Sequence, residues 1–515
     1  MNDIKKAFQR FVDAVTTEKA FFLLVVVTML AIPVAELITQ FHDRAVFTQP
    51  LIVEAAGILG TFMTVANIIR NRNKRLYPTD LFFTLLVVLA GLSLAFSQDL
   101  LESTRGIDFD EWLTDFLGYF SLMYAASAVK DNKLRKAMLG IFLVIMAIQG
   151  TLGVLQTFDI RIRDSYLDSI SINKNHYPYG LTQHMNWFVA LAGLYTCFTA
   201  AVTLFARTTK SFVLFLVVTC IGFYNLFTSG ARLALMIVFA LFAFYFVSIP
   251  LYCRRNKEPG QLKRMLTRLL ILLAAAAAVF AAVYLTFGHY KGELSSTVSE
   301  MSVTEDSSAA AESQPSQSEE PEADTGSNNG SNTGSDTDNG LLPPTAAAAP
   351  HTGFDHFANE RGFIWKYGLA CVPKYWAFGI GLDNYRWCFS HPQMGLQPDN
   401  SNYSGGKAHN EYIHILVTQG VFQLLNYLCL YIYIFVVGIR TVLHSEDKEG
   451  RLITWAALGM FTAYALQAVF NSSLVNVAPY MWVTMGIILC VKDQRPFGYR
   501  KERRQAEQDK TKGEA

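Results

Sequence analysis

The feature that most constrains this chain is the recurrence of apolar blocks about as long as a bilayer is thick. A helix needs about 20 mostly apolar residues to cross the hydrocarbon core, where each backbone polar group must be satisfied within its own segment. With 51% hydrophobic and 17% charged residues, the composition is typical of a membrane protein. Twelve stretches qualify, at residues 20–40, 50–69, 80–97, 113–129, 137–157, 186–206, 211–228, 232–252, 267–287, 419–438, 452–471 and 477–491. The sequence therefore predicts an all-α integral membrane protein with about 12 transmembrane helices.

The distribution of basic residues predicts the orientation of these helices, because Lys and Arg accumulate in short cytoplasmic loops. With the N-terminus inside, 31 of the 43 Lys and Arg residues fall in cytoplasmic segments and 12 in outer segments. We therefore expect both termini in the cytoplasm, an uncleaved first span and a location in the cytoplasmic membrane. No basic stripe with interleaved aromatic residues suggests a nucleic-acid partner.

The longest outer segment, residues 288–408, separates the ninth and tenth predicted helices and changes character along its length. Residues 294–350 are rich in Ser, Glu, Asn, Gly, Thr and Ala, a composition that predicts a disordered insertion. Aromatic residues return in 351–408, which we expect to be the folded part of this loop. The predicted units are thus helices 1–9 in 1–293, the insertion, the folded loop, helices 10–12 in 409–491 and a basic cytoplasmic tail in 492–515.

Within the folded loop, the apolar spacing predicts a helix from Arg361 to Trp376. One face of this helix is expected to carry Ile364, Trp365, Leu369 and Val372, and the glycines Gly379 and Gly381 are expected to end it. Two cysteines, Cys371 and Cys388, also fall in this segment. A disulfide between them is chemically possible on the outer side, but two buried thiols are the favoured interpretation.

Two positions at predicted helix starts suggest chemistry rather than packing. Arg232 begins a predicted span in FTSGARLALM, where a cation opposes the helix dipole. Anchoring in the lipid headgroups is the alternative for this arginine. His409 and Asn410 open the tenth predicted span in AHNEYIHILVTQG. A histidine is a suitable general base because its pKa lies near neutrality, although a surface histidine without a catalytic role is the alternative.

Taken in order, these motifs resemble the O-antigen ligase and O-antigen polymerase superfamily. Its members typically show an Arg in a turn such as SRGAL, an Arg before an IW pair followed by a G-x-G-x-x-N/D-F/Y turn, and an HN(D/E)Y(L/I) motif before a glycine. The corresponding residues here are Arg232, then Arg361 with Ile364-Trp365 and Gly379 to Tyr385, then His409 to Tyr412 with Gly420. The similarity covers roughly residues 180–440. One departure is Ala231, where a Ser is usual, so no role is assigned to a hydroxyl there.

An earlier patch, YGLTQHMNWF, also resembles the family's entry into its middle span, with Gly180 and Asn186 in register. His184 lies in the same patch. The resemblance and the position near a span boundary suggest substrate binding by His184 and Asn186. For His184, a hydrogen-bonded packing role is about equally well supported.

The resemblance implies a GT-C-like membrane glycosyltransferase that moves a glycan from an undecaprenyl pyrophosphate carrier to an acceptor hydroxyl on the outer face of the membrane. Arg232, Arg361 and His409 are the implied catalytic residues, and Asn410, Tyr412, His184 and Asn186 the implied substrate-binding residues. No metal and no cofactor are implied. The expected partners are a lipid-linked glycan donor, a glycan, lipid or protein acceptor, and the bilayer.

Several alternatives remain at the level of the sequence. Within the family, repeat-unit polymerases and protein O-oligosaccharyltransferases share the same motifs as ligases, with a ligase slightly favoured. A polysaccharide flippase is a different class, but ionisable residues at mid-membrane depth or broken helices repeated in two halves, which are typical of transporters, are not evident. The pair Asp108 and Asp110 would suit a divalent cation in an outer loop, and a solvated acidic loop is the favoured interpretation.

The division of basic residues generates a testable topology. In a cysteine-free background, we expect Ser401→Cys to react with an impermeant thiol reagent on intact cells, or on spheroplasts where an outer membrane intervenes. Asp131→Cys should react only after permeabilisation, because the cytoplasmic side is closed to the reagent. Labelling at position 131 together with protection at position 401 would overturn the assignment.

Overall fold

The protein is described here from a computed structural model that covers residues 2–40, 48–71, 76–105, 112–160, 177–182, 185–230, 232–256, 259–287, 357–390 and 406–495. Throughout these ranges the regular secondary structure is helical, and they contain no β-strand. The all-α prediction is therefore confirmed for the part of the chain that is described. The predicted insertion at 294–350 lies outside the described residues and stays a prediction.

Sixteen α-helices occur within the described ranges. The first seven are α1 (Asn2–Val15), α2 (Glu18–Gln40), α3 (Thr48–Asn71), α4 (Pro78–Ala95), α5 (Leu100–Arg105), α6 (Leu113–Ala128) and α7 (Asn132–Thr157). The central four are α8 (Met185–Phe205), α9 (Thr209–Thr228), α10 (Arg232–Asn256) and α11 (Gln261–Thr286). The last five are α12 (Phe357–Tyr375), α13 (Trp387–Ser390), α14 (Glu411–His444), α15 (Lys448–Gln467) and α16 (Ala478–Ile488). Short 3-10 turns lie at Asn384–Arg386 and Val491–Asp493.

Nine of the helices in the described ranges are long and apolar enough to cross a membrane, which identifies a multi-pass membrane protein. They are α2, α3, α4, α7, α8, α9, α10, α11 and α14. The other three predicted spans coincide with α6, α15 and α16, which are shorter or more polar. Twelve membrane-spanning helices therefore stay a prediction.

The interior position of α6 and α16 explains why a hydropathy pattern counts them as spans. All residues of α16 are buried within the protein, where the helix packs against α6 and α15. Its 11 residues rise only about 16 Å, roughly half of the hydrocarbon core. The segment before it, residues 468–477, is largely irregular and mostly buried. Apolar composition in this region thus reflects contact with protein rather than with lipid.

Helix α8 forms the centre of the bundle. About 89% of its span is buried inside the protein, whereas the figure for α11 is 22%, which places α11 at the edge. The central helix packs against α7, α9, α10, α11 and α15. A single large apolar core therefore joins the early and late helices. A second, smaller core joins α12 to the start of α14 and includes Ile364, Trp365, Tyr385 and Val417.

Helix α14 is broken at Gly420, whose backbone dihedrals are φ 80° and ψ 177°. The break releases backbone groups from the helical hydrogen-bond pattern, and the turn after α12 takes them up. Val417 and Thr418 accept hydrogen bonds from Ile380 and Gly381, each at 3.0 Å, and Val421 donates to the Trp376 carbonyl at 2.7 Å. Each of these buried backbone groups thereby regains a partner.

Glycine is required on both sides of this junction. Gly379 and Gly420 both have positive φ angles, and a Cβ atom added to either would collide with backbone atoms of the other segment. Because α14 begins at Glu411 rather than near residue 419, the break lies inside the helix and the HN motif lies at its first turn. The helix thus begins about two turns before the apolar stretch 419–438, next to His409 and Asn410, which were expected to open this span.

The predicted helix in the 351–408 segment is present as α12, but one of the four apolar residues expected on one face is exposed. Ile364 and Trp365 are buried and Val372 packs at the edge of the second core, whereas Leu369 is 41% exposed. The buried stripe follows Ile364, Gly368 and Cys371. Leu369 comes five residues after Ile364, so it points about 140° away from the stripe.

We expect Gly420→Ala to destabilise the protein by about 2 kcal/mol or more, because the alanine must adopt a strained conformation and collides with the Ala377 carbonyl. Gly140→Ala is the matched control, since a Cβ there meets no atom within 4 Å inside helix α7. The measurement is the midpoint of thermal unfolding in one detergent. Equal midpoints for the two variants would contradict the role given to the break.

Candidate active site

Arg361 lies on α12 and points toward the segment between α15 and α16. The guanidinium is partly buried, and its Nη1 donates a hydrogen bond to the Phe470 carbonyl. Burial lowers the pKa of this guanidinium from its ordinary value, but an arginine remains charged at neutral pH. Arg361 is thus a fixed positive charge held by one backbone contact.

The HN motif approaches the same segment. The Glu411 amide donates to the Ala468 carbonyl at 2.8 Å, two residues from the carbonyl that Arg361 contacts. Trp365, one turn after Arg361 on α12, donates from Nε1 to the Ala408 carbonyl at 2.7 Å. The structure therefore packs the segments that carry Arg361 and His409 against each other and against residues 468–470.

His409 is exposed and adopts a left-handed backbone conformation with φ 49°. Such a conformation is uncommon for residues other than glycine, and clusters at functional sites. The next residue, Asn410, caps α14, since its side-chain oxygen accepts a hydrogen bond from the Ile413 amide at 2.9 Å. The cap starts the helix immediately after His409, which leaves the imidazole at the helix entrance.

The other predicted residue in this motif, Tyr412, is engaged with the protein. Its hydroxyl donates to the Ala465 carbonyl at 2.7 Å and thereby ties α14 to α15. Asn410 likewise uses its side chain as a cap. Both residues have a structural role in the described contacts, and substrate binding by either stays a prediction.

Asp383 and Lys407 form a buried ion pair close to the HN motif in the structure. The sequence analysis did not assign a role to either residue. Lys407 Nζ lies 2.8 Å from Asp383 Oδ1, with 11% and 1% of the two side chains exposed. His414 Nε2 lies 3.3 Å from the same carboxylate oxygen. Burial by itself raises the pKa of Asp383, but Lys407 and His414 outweigh that effect and hold this pKa below its ordinary value. The carboxylate is therefore ionised at neutral pH.

A second buried carboxylate belongs to Glu411, about one helical turn before His414 on α14. The Glu411 side chain accepts hydrogen bonds from the Tyr427 hydroxyl and from the Tyr464 hydroxyl, the latter at 2.9 Å. Tyr431 joins this network through a 2.7 Å contact between its hydroxyl and that of Tyr427. These tyrosines are far from the HN motif in sequence, and no local pattern relates them to it. The Asp383 turn and Lys407, by contrast, adjoin the sequence motifs described above.

The entry to α8 is built from glutamine side chains on α7. Gln156 Oε1 accepts from the Tyr179 and Gly180 amides at 2.9 and 2.7 Å, and its Nε2 donates to the Gly180 carbonyl at 2.7 Å. Gln149 accepts from the Leu181 amide and donates to Glu36, at 2.7 and 2.8 Å. Gly180 therefore belongs to a turn clamped onto the membrane helices.

Some predicted site residues cannot be placed from these contacts. The backbone of Arg232 begins α10, but its side chain lies outside what the structure describes, as do His184, Ala231, Asp108 and Asp110. Asn186 is the second residue of α8 and is half-buried. Convergence of Arg232 with Arg361 and His409 therefore stays a prediction.

Cys371 and Cys388 meet in the second core. Both are free and buried, and their sulfur atoms lie 3.0 Å apart. They help to hold α12 against the turn that carries Asp383. The structure thus contains the two buried thiols that the sequence analysis favoured.

Comparison with known families supports the resemblance suggested by the motifs. Residues 212–428 match the family model described as O-antigen ligase. This stretch of the chain is similar to the O-antigen ligase family. It contains Arg232, Arg361, His409, Asn410 and Tyr412, while His184 and Asn186 precede it.

The chain is also similar to part of one curated protein. A stretch of 114 residues is 25% identical to the teichuronic acid biosynthesis protein TuaE of Bacillus subtilis (strain 168). The alignment covers 22% of this chain and 22% of that protein. The similarity thus spans about a fifth of the relative's length.

The buried ion pair between Asp383 and Lys407 generates a prediction on the stability of the protein. Removing one member of a buried pair leaves the other charge uncompensated, which costs about 3 kcal/mol or more. We expect Asp383→Asn and Lys407→Met each to lower the thermal unfolding midpoint strongly, and the double variant to recover much of the loss. A double variant whose loss equals the sum of the single losses would contradict direct coupling.

Proposed function

We propose that this protein is a membrane glycosyltransferase that transfers a glycan from undecaprenyl pyrophosphate to an acceptor hydroxyl on the outer face of the cytoplasmic membrane. The observation that carries the proposal is the O-antigen ligase match over 212–428, which contains Arg232, Arg361 and His409 in the family order. The packing of the Arg361 and His409 segments against residues 468–470 supports a shared site.

The arginines suit the donor. A lipid-linked pyrophosphate carries at least two negative charges beside the bilayer, and a guanidinium binds phosphate through two parallel charge-assisted hydrogen bonds. Among the described residues, Arg361 makes one side-chain hydrogen bond, to Phe470. Its remaining N–H groups give it the capacity to bind phosphate oxygens. Arg232 is proposed as the second ligand because it begins a membrane helix, where the pyrophosphate of a membrane-held lipid would lie.

His409 is proposed as the general base. The acceptor hydroxyl gives its proton to the imidazole as its oxygen forms a bond with the anomeric carbon. The bond from that carbon to the phosphate oxygen breaks, and undecaprenyl pyrophosphate leaves with the electron pair. The arginines stabilise the leaving group electrostatically, so the proposed reaction uses no metal ion.

The acceptor defines the branch of the family. A ligase that joins a finished glycan to a lipid or wall polymer is the favoured form, and a repeat-unit polymerase or protein O-oligosaccharyltransferase is the alternative. The similarity to TuaE fits any branch that builds a surface polysaccharide. The acceptor type is therefore to be decided by the substrates themselves.

Transport is the competing class, and Glu36 is an ionisable residue of the kind that a transport pathway would use. Glu36 is buried in α2, where it accepts a hydrogen bond from Gln149. Ionisable residues within membrane helices often mark transport pathways. Here the contacts of Glu36 and Gln149 hold the turn before α8, which favours a structural role.

We expect Arg232→Lys and Arg361→Lys each to lose about 1.5–3 kcal/mol of transition-state stabilisation, because lysine conserves the charge but not the bidentate geometry. His409→Ala should slow turnover by roughly 100-fold while leaving donor binding largely intact, as expected for a general base. The measurements are turnover and donor affinity of the purified protein in nanodiscs.

The matched controls lie at the far end of α10, which begins at Arg232, and at the far end of α14, which begins just after His409. Arg254→Lys changes an exposed arginine near the end of α10, and His444→Ala changes an exposed histidine at the end of α14. Both should behave as the unmodified protein. Near-normal turnover in His409→Ala would show that the base assignment is wrong.

A further inference from the structure

An aromatic cluster lies at the surface where the end of α4, the turn after α12 and the break of α14 meet. Phe96 stacks on Phe378 with ring centroids 5.1 Å apart, and Phe378 packs against Phe422 at 5.8 Å. Trp376, directly after α12, contacts Phe422 at 5.6 Å. Trp376 is 53% exposed, and Phe96 and Phe422 are exposed as well. We call these four residues the aromatic patch, and an exposed apolar patch of this kind marks an interaction site.

Helix α14 shows where the bilayer lies relative to the patch. After the break, its exposed apolar side chains recur every three or four residues and therefore share one helix face. They are Phe422, Leu425, Leu428, Ile432, Val436 and Ile439. This stripe rises about 26 Å, close to the thickness of the hydrocarbon core. The stripe therefore spans the hydrocarbon core, and Phe422 lies at one of its two boundaries.

Helix α4 marks the same boundary. It packs against α14, and the Ser93 hydroxyl near its end donates to the Thr418 carbonyl at 2.9 Å, beside the break. Leu81 and Val88 on α4 are exposed, and Phe96 lies just past the last residue of the helix. Phe96 and Phe422 thus lie at the same end of two neighbouring membrane helices, and Phe378 joins them.

The exposed face of α12 has the composition of a helix at a membrane interface. Leu369 and Pro373 are exposed on the side that leads to Trp376, opposite the stripe buried in the second core. Lys374 is exposed beside them, and its Nζ lies 5.2 Å from the centroid of the Tyr375 ring. Trp and Tyr are enriched at the level of the lipid headgroups, and a lysine there extends its ammonium into water while its stem stays on apolar surface.

We propose that the aromatic patch and the exposed face of α12 bind the bilayer at the level of the lipid headgroups, so that α12 lies along the membrane surface. Lipid, rather than a second copy of this chain, is the occupant because the patch is continuous with the stripe of α14 that faces the hydrocarbon core. The contact is independent of the proposed transferase function. Because Arg361 lies on the same helix, this placement also holds it near the depth of lipid phosphates.

Quenching by brominated lipid tests this contact, because bromine on an acyl chain quenches tryptophan emission only at close range. The full chain is placed in nanodiscs that hold a single copy, made of phosphatidylcholine with or without acyl chains brominated close to the headgroup. The emission of Trp376 is the difference between the unmodified protein and Trp376→Phe. We expect the brominated lipid to lower this difference about twofold or more, since a tryptophan at the headgroup level reaches the upper part of the acyl chains.

Trp365→Phe is the matched control, because Trp365 lies on the same helix but is buried in the second core. The emission that this variant removes should be equal in the two lipids. Leu369→Trp adds a second reporter on the exposed face of α12, and its added emission should also fall in the brominated lipid. Equal Trp376 emission in both lipids would overturn the proposal, because protein or water would then cover the patch. Unquenched emission from Leu369→Trp would overturn the placement of α12, and this variant decides the matter if Trp376→Phe does not fold.

Discussion

The break of α14 at Gly420 is the constraint on which the rest of the site depends. An unbroken helix would satisfy its own carbonyls and leave no place for another segment to dock. Here Val417 and Thr418 instead accept hydrogen bonds from Ile380 and Gly381 of the turn after α12. The segment between α11 and α14 is thereby joined to the membrane bundle through backbone bonds, and residues 361–385 are held beside the HN motif.

The same turn is also tied to the end of α4. The Gln98 amide donates to the Ile380 carbonyl at 2.8 Å, and Asn384 donates from Nδ2 to the Ser97 hydroxyl at 2.8 Å. Asp383 lies between these attachments in a left-handed conformation and carries the buried charge that Lys407 balances. A buried ion pair contributes little net stability, but it can specify one arrangement among several. We regard the pair as setting the position of the residues before α14.

The proposed chemistry depends on groups that two neighbouring segments supply. Arg361, on α12, has N–H groups beyond the one that donates to the Phe470 carbonyl. His409 lies just before the start of α14, on the segment that packs against the same residues 468–470. A transferase needs phosphate ligands and a base close together, and the packing of these two segments is consistent with that need.

Much of this architecture is predictable from local patterns. The apolar blocks locate the long helices, and the Arg-Ile-Trp and His-Asn motifs select the segments that pack together. Long-range contacts are not predictable in this way, because neither the inserted turn at Gly420 nor the tyrosines around Glu411 have a local signature. Two predictions from apolar character also differ from the structure. Leu369 is exposed, and α16 is short and buried within the protein. Hydropathy measures how apolar a residue is, but it does not say whether protein, lipid or water covers that residue.

The most direct test of the central claim is turnover by the purified protein in nanodiscs, where no ion gradient exists. We expect the undecaprenyl-pyrophosphate-linked glycan to be consumed, with free undecaprenyl pyrophosphate and acceptor-linked glycan appearing in equal amounts. Transfer without a gradient distinguishes an enzyme from an ion-coupled carrier. If the donor remains chemically intact with its acceptor present, while proteoliposomes with a gradient move it across the bilayer, the transferase account is contradicted.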